Sequence, residues 1–437
     1  MTAKSKSTKL QEVATRAKDP SARFYALAHL IDVTLLREAY RKLRSRAAVG
    51  VDGVTKKQYG EQLEENLQNL HERLRSGRYR HQLIRRVHIP KEGNKTRPIG
   101  ISTVEDKIVQ GALTTVLRTV FEPIFSDSSY GSRPKRGAHG AIRALNGAAY
   151  RKEVNWVYEA DIQSFFDNVN RDMLLDFIQE RVPDGSIRRL VGKCLHVGVL
   201  DGEETSEPDV GTPQGSVLSP MLANVYLHHV LDHWFHKVVY PRLRGKAHLI
   251  RYVDDFVVGF ERKDDAERFA GVVGKRMARF GLTLHPDKTR LLRFTRPSRS
   301  QTSGKGPDTF DFLGFTCYWR RTRSGWWQPA LKTRHGRLRK AIKAVYEWCR
   351  DHRHLPVEEQ HRSLILKLKG HFNYFGVNGN VDCLYALVEQ VRIAWRFWLN
   401  RRSQRARMTW ERYEILLSAY PLPTPRIVVQ VWGSSSS

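Results

Sequence analysis

Two adjacent carboxylates, Asp254 and Asp255, lie between two segments that both have the pattern of β-strands. Residues 248–253 alternate polar and apolar side chains, and residues 256–260 are mostly β-branched or aromatic. The pattern therefore predicts a β-hairpin with the acidic pair at its tip. By itself the pair identifies no site, because Asp is common in turns, where it accepts hydrogen bonds from the nearby backbone.

A third carboxylate, Asp161, ends another predicted strand, over residues 155–162. Asn170 then suits the N-cap of a helix whose apolar face holds Leu174 and Ile178. If this strand neighbours the hairpin, the three carboxylates meet. Oxygen ligands of this kind are those that Mg²⁺ prefers, with substrate phosphates completing its coordination.

The order of short sequence blocks along the chain is more specific than any one block. The blocks are residues 49–54 (VGVDGV), 97–101 (RPIGI), 121–125 (FEPIF) with 129–134 (SYGSRP), 155–162 (NWVYEADI), 211–216 (GTPQGS), 252–255 (YVDD), 286–289 (PDKT) and 312–315 (FLGF), followed by 370–376 (GHFNYFG) and 407–410 (RMTW). Together they resemble the group II intron reverse transcriptase/maturase family over nearly the whole chain.

This resemblance implies an α/β fold of the right-hand polymerase type, with fingers, a palm built on an antiparallel sheet, and a helical thumb that is the maturase X domain. The expected boundaries are a flexible basic tail over residues 1–20, an N-terminal extension and fingers over 21–150, the palm over 151–330, the thumb over 331–430 and a flexible end over 431–437.

The activity that the resemblance implies is RNA-directed DNA synthesis by two-metal phosphoryl transfer. Asp161, Asp254 and Asp255 would be catalytic, and two Mg²⁺ ions would be held by these residues together with Ile162. The implied substrates are an RNA template with a DNA primer and deoxynucleoside triphosphates.

Four further residues are assigned to the nucleotide by the same resemblance. Lys91 and Arg97 would bind the triphosphate from a fingers hairpin, and Gln214 would contact the incoming deoxynucleotide. Phe166 would exclude a ribose 2′-hydroxyl, although either Phe166 or its neighbour Phe165 must belong to the core. The Gln214 loop leads into a helix for which Ser219 is the expected N-cap.

Charge and aromatic content favour a nucleic-acid partner. The chain has 74 Lys and Arg against 45 Asp and Glu, a formal charge of +29, which favours polyanions through counterion release. Near the C-terminus arginines alternate with Trp395 and Trp398, a pattern typical of phosphate contact and base stacking. The residues predicted to bind intron RNA are Arg392, Arg396, Arg401, Arg402 and Arg405.

Other classes of protein fit less well. No apolar run approaches the length of about 20 residues that spans a membrane, so a cytoplasmic protein is expected. The four cysteines form no CxxC pair, which predicts reduced and mostly buried thiols. His229, His233 and His236 share a helical stripe, but no general-base Glu lies between them, so a polar helix face is favoured over zinc.

Two alternatives remain open from the sequence. Most members of the family have Ala where Val253 stands, and such a change resembles intron-like enzymes recruited by their hosts for repair or defence. A splicing factor with an inactive polymerase is disfavoured because Asp161, Asp254 and Asp255 are all acidic. No paired-cysteine nuclease module follows the thumb, so second-strand cleavage is not expected. The oligomeric state, monomer or homodimer, is undecided.

Overall fold

The computed structural model describes residues 4–90, 96–202, 204–206, 210–212, 215–298, 307–403 and 407–431. The α-helices in these ranges are α1 (Lys4–Arg16), α2 (Val33–Lys42), α3 (Lys56–Glu61), α4 (Leu63–Arg75), α5 (Val104–Phe121), α6 (Ala138–Tyr150), α7 (Phe165–Asn168), α8 (Arg171–Arg181), α9 (Gly185–Leu195), α10 (Ser219–Leu227), α11 (Lys263–Ala278), α12 (His335–Asp351), α13 (Val357–Phe375), α14 (Val381–Leu399) and α15 (Trp410–Ala419).

Three sheets contain the strands of the described residues. The strands are β1 (Ile84–Pro90), β2 (Thr96–Ile101), β3 (Trp156–Asp161), β4 (Val199–Asp201), β5 (Glu204–Ser206), β6 (Ala247–Tyr252), β7 (Asp255–Phe260), β8 (Arg290–Arg293), β9 (Phe310–Phe312), β10 (Phe315–Arg321) and β11 (Trp327–Thr333). They pair in the orders β2-β1-β4-β5, β6-β7-β3-β8 and β11-β10-β9. In the first sheet, β1 and β2 lie in the range predicted as fingers, whereas β4 and β5 lie in the range predicted as palm with part of the fingers. All strands of the second sheet lie in that palm range.

The β6-β7-β3-β8 sheet is entirely antiparallel and lies between two apolar cores. Tyr158 and Phe256 face the larger core, which α5, α8, α10 and α11 line. Val157 and Val257 face the other, which contains α6 and the β11-β10-β9 sheet. Adjacent strand residues point to opposite faces, so both faces of this sheet are buried along most of its length.

The structure confirms several local predictions. The acidic pair lies at the tip of the β6–β7 hairpin, and Asp161 is the last residue of β3. The Asn170 side chain accepts a hydrogen bond from the Met173 amide at 2.9 Å and so caps α8. The β11-β10-β9 sheet had no counterpart in the predicted organisation, because its strands belong to a region rich in charged and aromatic residues without clear alternation.

The N-terminal segment differs from the predicted flexible tail. Residues 4–16 form α1, and the chain after it is held by the buried Arg181 side chain of α8. Arg181 donates hydrogen bonds to the carbonyls of Ala17, Pro20 and Asp19, and to Val120 of α5. Composition alone did not reveal this because the partner of the segment lies about 160 residues away in sequence.

Helices α12 to α15 form a C-terminal helical bundle with its own core, in the region predicted as the thumb. Leu338, Ile342, Val345 and Trp348 recur at helical spacing along α12, and all four pack into this core. Trp395 is fully buried there and its indole N–H donates to Gln360 Oε1 at 3.0 Å, so the prediction that it stacks on bases is wrong.

Among the described residues, no helix combines the length and apolarity needed to cross a bilayer. The cysteines are free thiols, as predicted; Cys194, Cys317 and Cys349 are buried and Cys383 is partly buried.

Candidate active site

The register of β3 and β7 brings the carboxylates together. Asp161 lies directly opposite Asp255 in the antiparallel ladder, which corresponds to about 5 Å between their Cα atoms. Asp254 precedes Asp255 in the turn of the hairpin, after Val253, whose φ is 59°. The prediction that the two strands are neighbours is therefore confirmed.

Asp161 and Asp255 open onto a cleft of about 730 Å³ between the palm sheet and the C-terminal helical bundle. Asp161 and Asp255 share the sheet face that carries Val157 and Val257, but they lie at its end, beyond the apolar core. The sheet therefore presents apolar side chains along its length and acidic side chains where it reaches the cleft.

Burial and mutual repulsion make this acidic group electrostatically unfavourable. Burial, with the negative charges of Asp161, Asp254 and Glu159, raises the pKa of Asp255 to about 7. The pKa of Asp254 is also raised, first by burial and then by Asp161, although Arg97 and Lys288 oppose the shift. A site of this kind would gain stability from a bound cation.

The charged residue Glu159 lines the cleft and was not assigned a role from the sequence, although a signal for it existed. Glu159 lies two residues before Asp161 on the same strand face, and it accepts a hydrogen bond from Arg290 Nε at 2.8 Å. Period-two alternation in β3 was sufficient to place it beside Asp161. Lys288 forms an ion pair with Asp161, which puts an ammonium group among the acids.

The C-terminal helical bundle contributes the opposite wall of the cleft. Arg334 and Arg337, at the start of α12, line it, and Arg334 pairs with Asp311 at 3.0 Å. The Tyr374 hydroxyl of α13 donates to the Leu313 carbonyl at 2.8 Å, which ties the bundle to the turn between β9 and β10. These contacts join residues far apart in sequence, so no local pattern predicted them.

Only part of the predicted nucleotide-binding set lies within the described residues. Arg97, on β2, is exposed. Its charge opposes the rise in the pKa of Asp254, so Arg97 lies near the acidic group. Lys91 and Gln214 lie outside the described residues. Phe166 is partly buried and meets the fully buried Phe165 edge to face at 5.3 Å, so Phe165 is the core aromatic of the pair.

Gly211 and Gly215, on either side of the position of Gln214 in the sequence, lie close to the backbone of neighbouring segments. Gly211 and Gly215 both have positive φ, and a Cβ would lie 2.7 Å from the Phe166 carbonyl oxygen at the first position and 2.6 Å from that of Gly100 at the second. The two glycines therefore approach α7 and β2. The helix after the loop begins one residue earlier than predicted, with Leu218 rather than Ser219 in the N-cap position.

The predicted RNA-binding arginines have different surroundings. Arg392 pairs with Glu389 and Glu414, and Arg396 lies 4.0 Å from the Trp410 ring centroid while donating to the Met408 carbonyl. Both therefore stabilise the contact between α14 and α15. Arg401 and Arg402 are exposed, with Arg401 stacked on Phe397 at 3.5 Å. Arg405 lies outside the described residues.

The histidine stripe is not a regular α-helical face. Residues His228–Asp232 and Phe235–Val239 are π-helical, which changes the spacing between the three histidines. His229 stacks on Phe177 at 4.5 Å, and burial lowers its pKa to about 3. His236 Nε2 lies 2.9 Å from the Ser128 hydroxyl. Both rings thus take part in local packing and hydrogen bonding.

The donor set of the acidic cleft fits a hard divalent cation. Its ligands would be the carboxylates of Asp161, Asp254 and Asp255, with Ile162 directly after the first of them. Within the described residues no three such side chains are already gathered as a complete metal site. Mg²⁺ commonly takes only one or two protein carboxylates, and water and substrate phosphates complete its coordination.

The raised pKa of Asp255 predicts a pH-dependent effect of Asp255→Asn on stability. A carboxyl with a folded pKa near 7 and an unfolded pKa near 3.9 binds more protons when folded, so its ionisation destabilises the metal-free protein progressively from about pH 4 to pH 7. The variant removes this penalty, and its gain in unfolding free energy should be roughly 2 kcal/mol larger at pH 8 than at pH 5.

Urea unfolding in EDTA at both pH values measures this difference. Asp287→Asn, at an exposed position of the same cleft, is the control. An equal effect of Asp255→Asn at pH 5 and pH 8 would contradict the electrostatic description of the cleft.

Comparison with known proteins agrees with the geometry. Residues 89–317 match the family model described as reverse transcriptase (RNA-dependent DNA polymerase). The chain is 33% identical over 346 residues to Protein YkfC of Escherichia coli (strain K12), covering 71% of this chain and 87% of that protein.

Intron-encoded proteins are also similar. The chain is 35% identical over 194 residues to the group II intron-encoded protein LtrA of Lactococcus lactis subsp. cremoris, covering 44% of this chain and 32% of LtrA. It is 32% identical over 147 residues to Nuclear intron maturase 4, mitochondrial, of Arabidopsis thaliana, covering 33% of this chain and 18% of that protein. The chain thus spans about a third of LtrA.

Proposed function

Because the chain belongs to the reverse transcriptase (RNA-dependent DNA polymerase) family, we propose that it is the RNA-directed DNA polymerase of a group II intron. The observation that carries this proposal is the register of β3 and β7, which sets Asp161 opposite Asp255 at the mouth of the cleft. The intron-encoded relatives favour an intron enzyme over one recruited by its host.

The proposed reaction adds deoxynucleotides to the 3′-end of a DNA primer annealed to RNA. When bound, two Mg²⁺ ions would activate the primer hydroxyl and stabilise the departing pyrophosphate. Asp161, Asp254 and Asp255 supply the carboxylates for those ions, with Ile162 beside them. Lys288 partly neutralises Asp161 and limits repulsion within the acidic group.

The other residues position the substrates. Arg97 and Lys91 bind the triphosphate, and Gln214 contacts the incoming nucleotide; their role follows the family, with support from the charge of Arg97 near Asp254. Arg334 and Arg337 face the sheet across the cleft and are suited to the phosphates of the primer strand. The cleft then brings the primer end and the nucleotide to the same carboxylates.

Asp254→Asn tests the assignment of the carboxylates. The substitution keeps the shape of the side chain but removes a charged ligand, so primer extension on an RNA template with Mg²⁺ should fall by at least about 100-fold. Binding of the primer–template should persist, because phosphate contacts elsewhere dominate affinity.

Asp264→Asn is the matched control, because Asp264 is a partly buried carboxylate on α11 outside the cleft, paired with Arg262; the variant should extend primers like the wild type. Extension by Asp254→Asn within a few fold of the wild type would show that Asp254 is not a metal ligand.

Phe166→Ala tests the proposed exclusion of ribonucleotides. Removal of the ring leaves room for a 2′-hydroxyl, so the ratio of ribonucleotide to deoxynucleotide incorporation should rise. Phe165→Leu is the control, because Phe165 is buried in the core. It should reduce stability by about 1 kcal/mol without changing the sugar ratio. An unchanged ratio in folded Phe166→Ala would assign Phe166 to packing alone.

We further propose that the protein binds the intron RNA encoded around its own gene and assists splicing by stabilising the folded RNA. No protein nucleophile is required for this role, since the RNA carries its own chemistry. The net charge of +29 and the exposed Arg401 and Arg402 support it. Affinity for that intron RNA should exceed affinity for an unrelated RNA of equal length at physiological salt; equal affinities would remove the maturase part of the proposal.

Arg401→Gln and Arg392→Gln should differ in their effect on RNA binding. Arg401 is exposed on the bundle surface, so its loss should reduce the slope of log affinity against log salt by about 1. Arg392 is already paired with Glu389 and Glu414, so its loss should change the slope much less. Filter binding over a range of salt concentrations gives both slopes, and the reverse order would contradict this assignment.

A further inference from the structure

The turn that carries the acidic pair has a backbone conformation that its own sequence disfavours. Val253 has a φ of 59°, in the left-handed region that β-branched residues rarely adopt. Conformations of this kind persist where the surroundings fix them, and they concentrate at functional sites.

Arg251 lies directly beneath the turn, on the other side of the sheet from the cleft. Tyr252 is opposite Asp255 in the ladder and shares its face, so Arg251 points to the opposite face, into the larger core. Its side chain is 0% exposed. Arg251 Nη1 donates to the Val253 carbonyl at 2.9 Å, which joins a buried guanidinium to the strained residue.

The guanidinium is itself held in place by buried partners. Nε and Nη2 donate to the two carboxylate oxygens of Asp232 at 2.8 and 2.6 Å, and Asp232 is also 0% exposed. Nη1 donates in addition to Asn224 Oδ1 at 3.0 Å. A forked pair of this geometry fixes the orientation of the guanidinium plane as well as its position. Asp232 belongs to the π-helical turn His228–Asp232 after α10, a type of turn that is frequent near functional sites.

The same network also positions a segment on the outer side of the turn. Asn224 Nδ2 donates to the Gly131 carbonyl at 2.9 Å, and a Cβ at Gly131 would lie 2.6 Å from the Val253 amide nitrogen. The Arg251 backbone bonds to this segment as well, through Ser128 and Tyr130, both at 2.8 Å. The turn is therefore enclosed between residues 128–131 and the Arg251 side chain.

We propose that Arg251 is a positioning residue for the active site: held by Asp232, it fixes the Val253 carbonyl and with it the orientation of the Asp254 and Asp255 carboxylates toward the divalent cations. This role rests on the proposed polymerase function for its catalytic consequence, but it can be measured without catalysis. It gives a role to the Arg251–Asp232–Asn224 network that neither nucleotide binding nor RNA binding explains.

The alternative is that the buried Arg251–Asp232 pair only stabilises the fold. Removal of both charges distinguishes this role from the positioning role. Loss of one partner leaves the other charge buried and unpaired, whereas apolar replacement of both partners is often neutral or stabilising. The double variant Arg251→Met with Asp232→Leu should therefore keep a melting temperature within about 5 °C of the wild type. It nevertheless lacks the donor to the Val253 carbonyl.

The decisive measurement is the affinity of the free protein for Mn²⁺, titrated by electron paramagnetic resonance without nucleic acid. The double variant should bind Mn²⁺ at least about 10-fold more weakly, and kcat for primer extension should fall roughly 100-fold while KM for the primer–template is unchanged. Arg251→Lys is the second variant, because it keeps a charge for Asp232 but not the fork. It should fold and show the same loss of Mn²⁺ affinity.

Arg181→Met is the matched control, since Arg181 is a buried arginine that binds backbone carbonyls far from the cleft. It should lower the melting temperature without changing Mn²⁺ affinity. Wild-type Mn²⁺ affinity in folded double variant or Arg251→Lys would overturn the positioning role. Absence of primer extension by the wild-type protein would instead contradict the polymerase proposal, and the Mn²⁺ titration would still decide the role of Arg251.

Discussion

The pairing of β3 with β7 in one register is the constraint on which the rest of the molecule depends. A slip by one residue would move every side chain of a strand to the other face. Asp255 would then point into the larger core, and Phe256 would face the opposite one. Because both faces of the sheet are buried, the two cores enforce the register, and the position of the acidic group follows from apolar packing.

The sequence predicted those parts of the fold that local patterns encode. The β6–β7 hairpin, the strand ending at Asp161 and the Asn170 cap each depend on a few consecutive residues, and each is confirmed. The parts that were missed depend on distant partners. Residues 17–20 are held by Arg181, and Trp395 is buried in the core of the C-terminal helical bundle, where it donates to Gln360. Neither contact can be predicted from amino-acid composition.

Charged residues gave the least reliable predictions, for a physical reason. An arginine in a basic sequence is equally compatible with phosphate, with a carboxylate of the same chain or with an aromatic face. Arg392 forms ion pairs with two glutamates, and Arg396 stacks on Trp410. In the sequence, neither could be distinguished from the exposed arginines nearby. The carboxylates are on two strands that pair in a fixed register, so their proximity follows from the strand pattern and does not depend on the choice of a partner. The acidic group was therefore predictable, whereas the basic surface was not.

The two faces of the hairpin differ in their electrostatics. On the cleft side, carboxylates repel one another, which raises the pKa of Asp255 to about 7. On the core side, the Arg251–Asp232 pair is buried at a desolvation cost that well-packed apolar residues would avoid. Such a pair is weak evidence for stability, but its two parallel hydrogen bonds fix the orientation of the guanidinium. The Val253 carbonyl is held by Arg251 while its amide lies against Gly131, so contacts on both sides of the turn fix its positive φ.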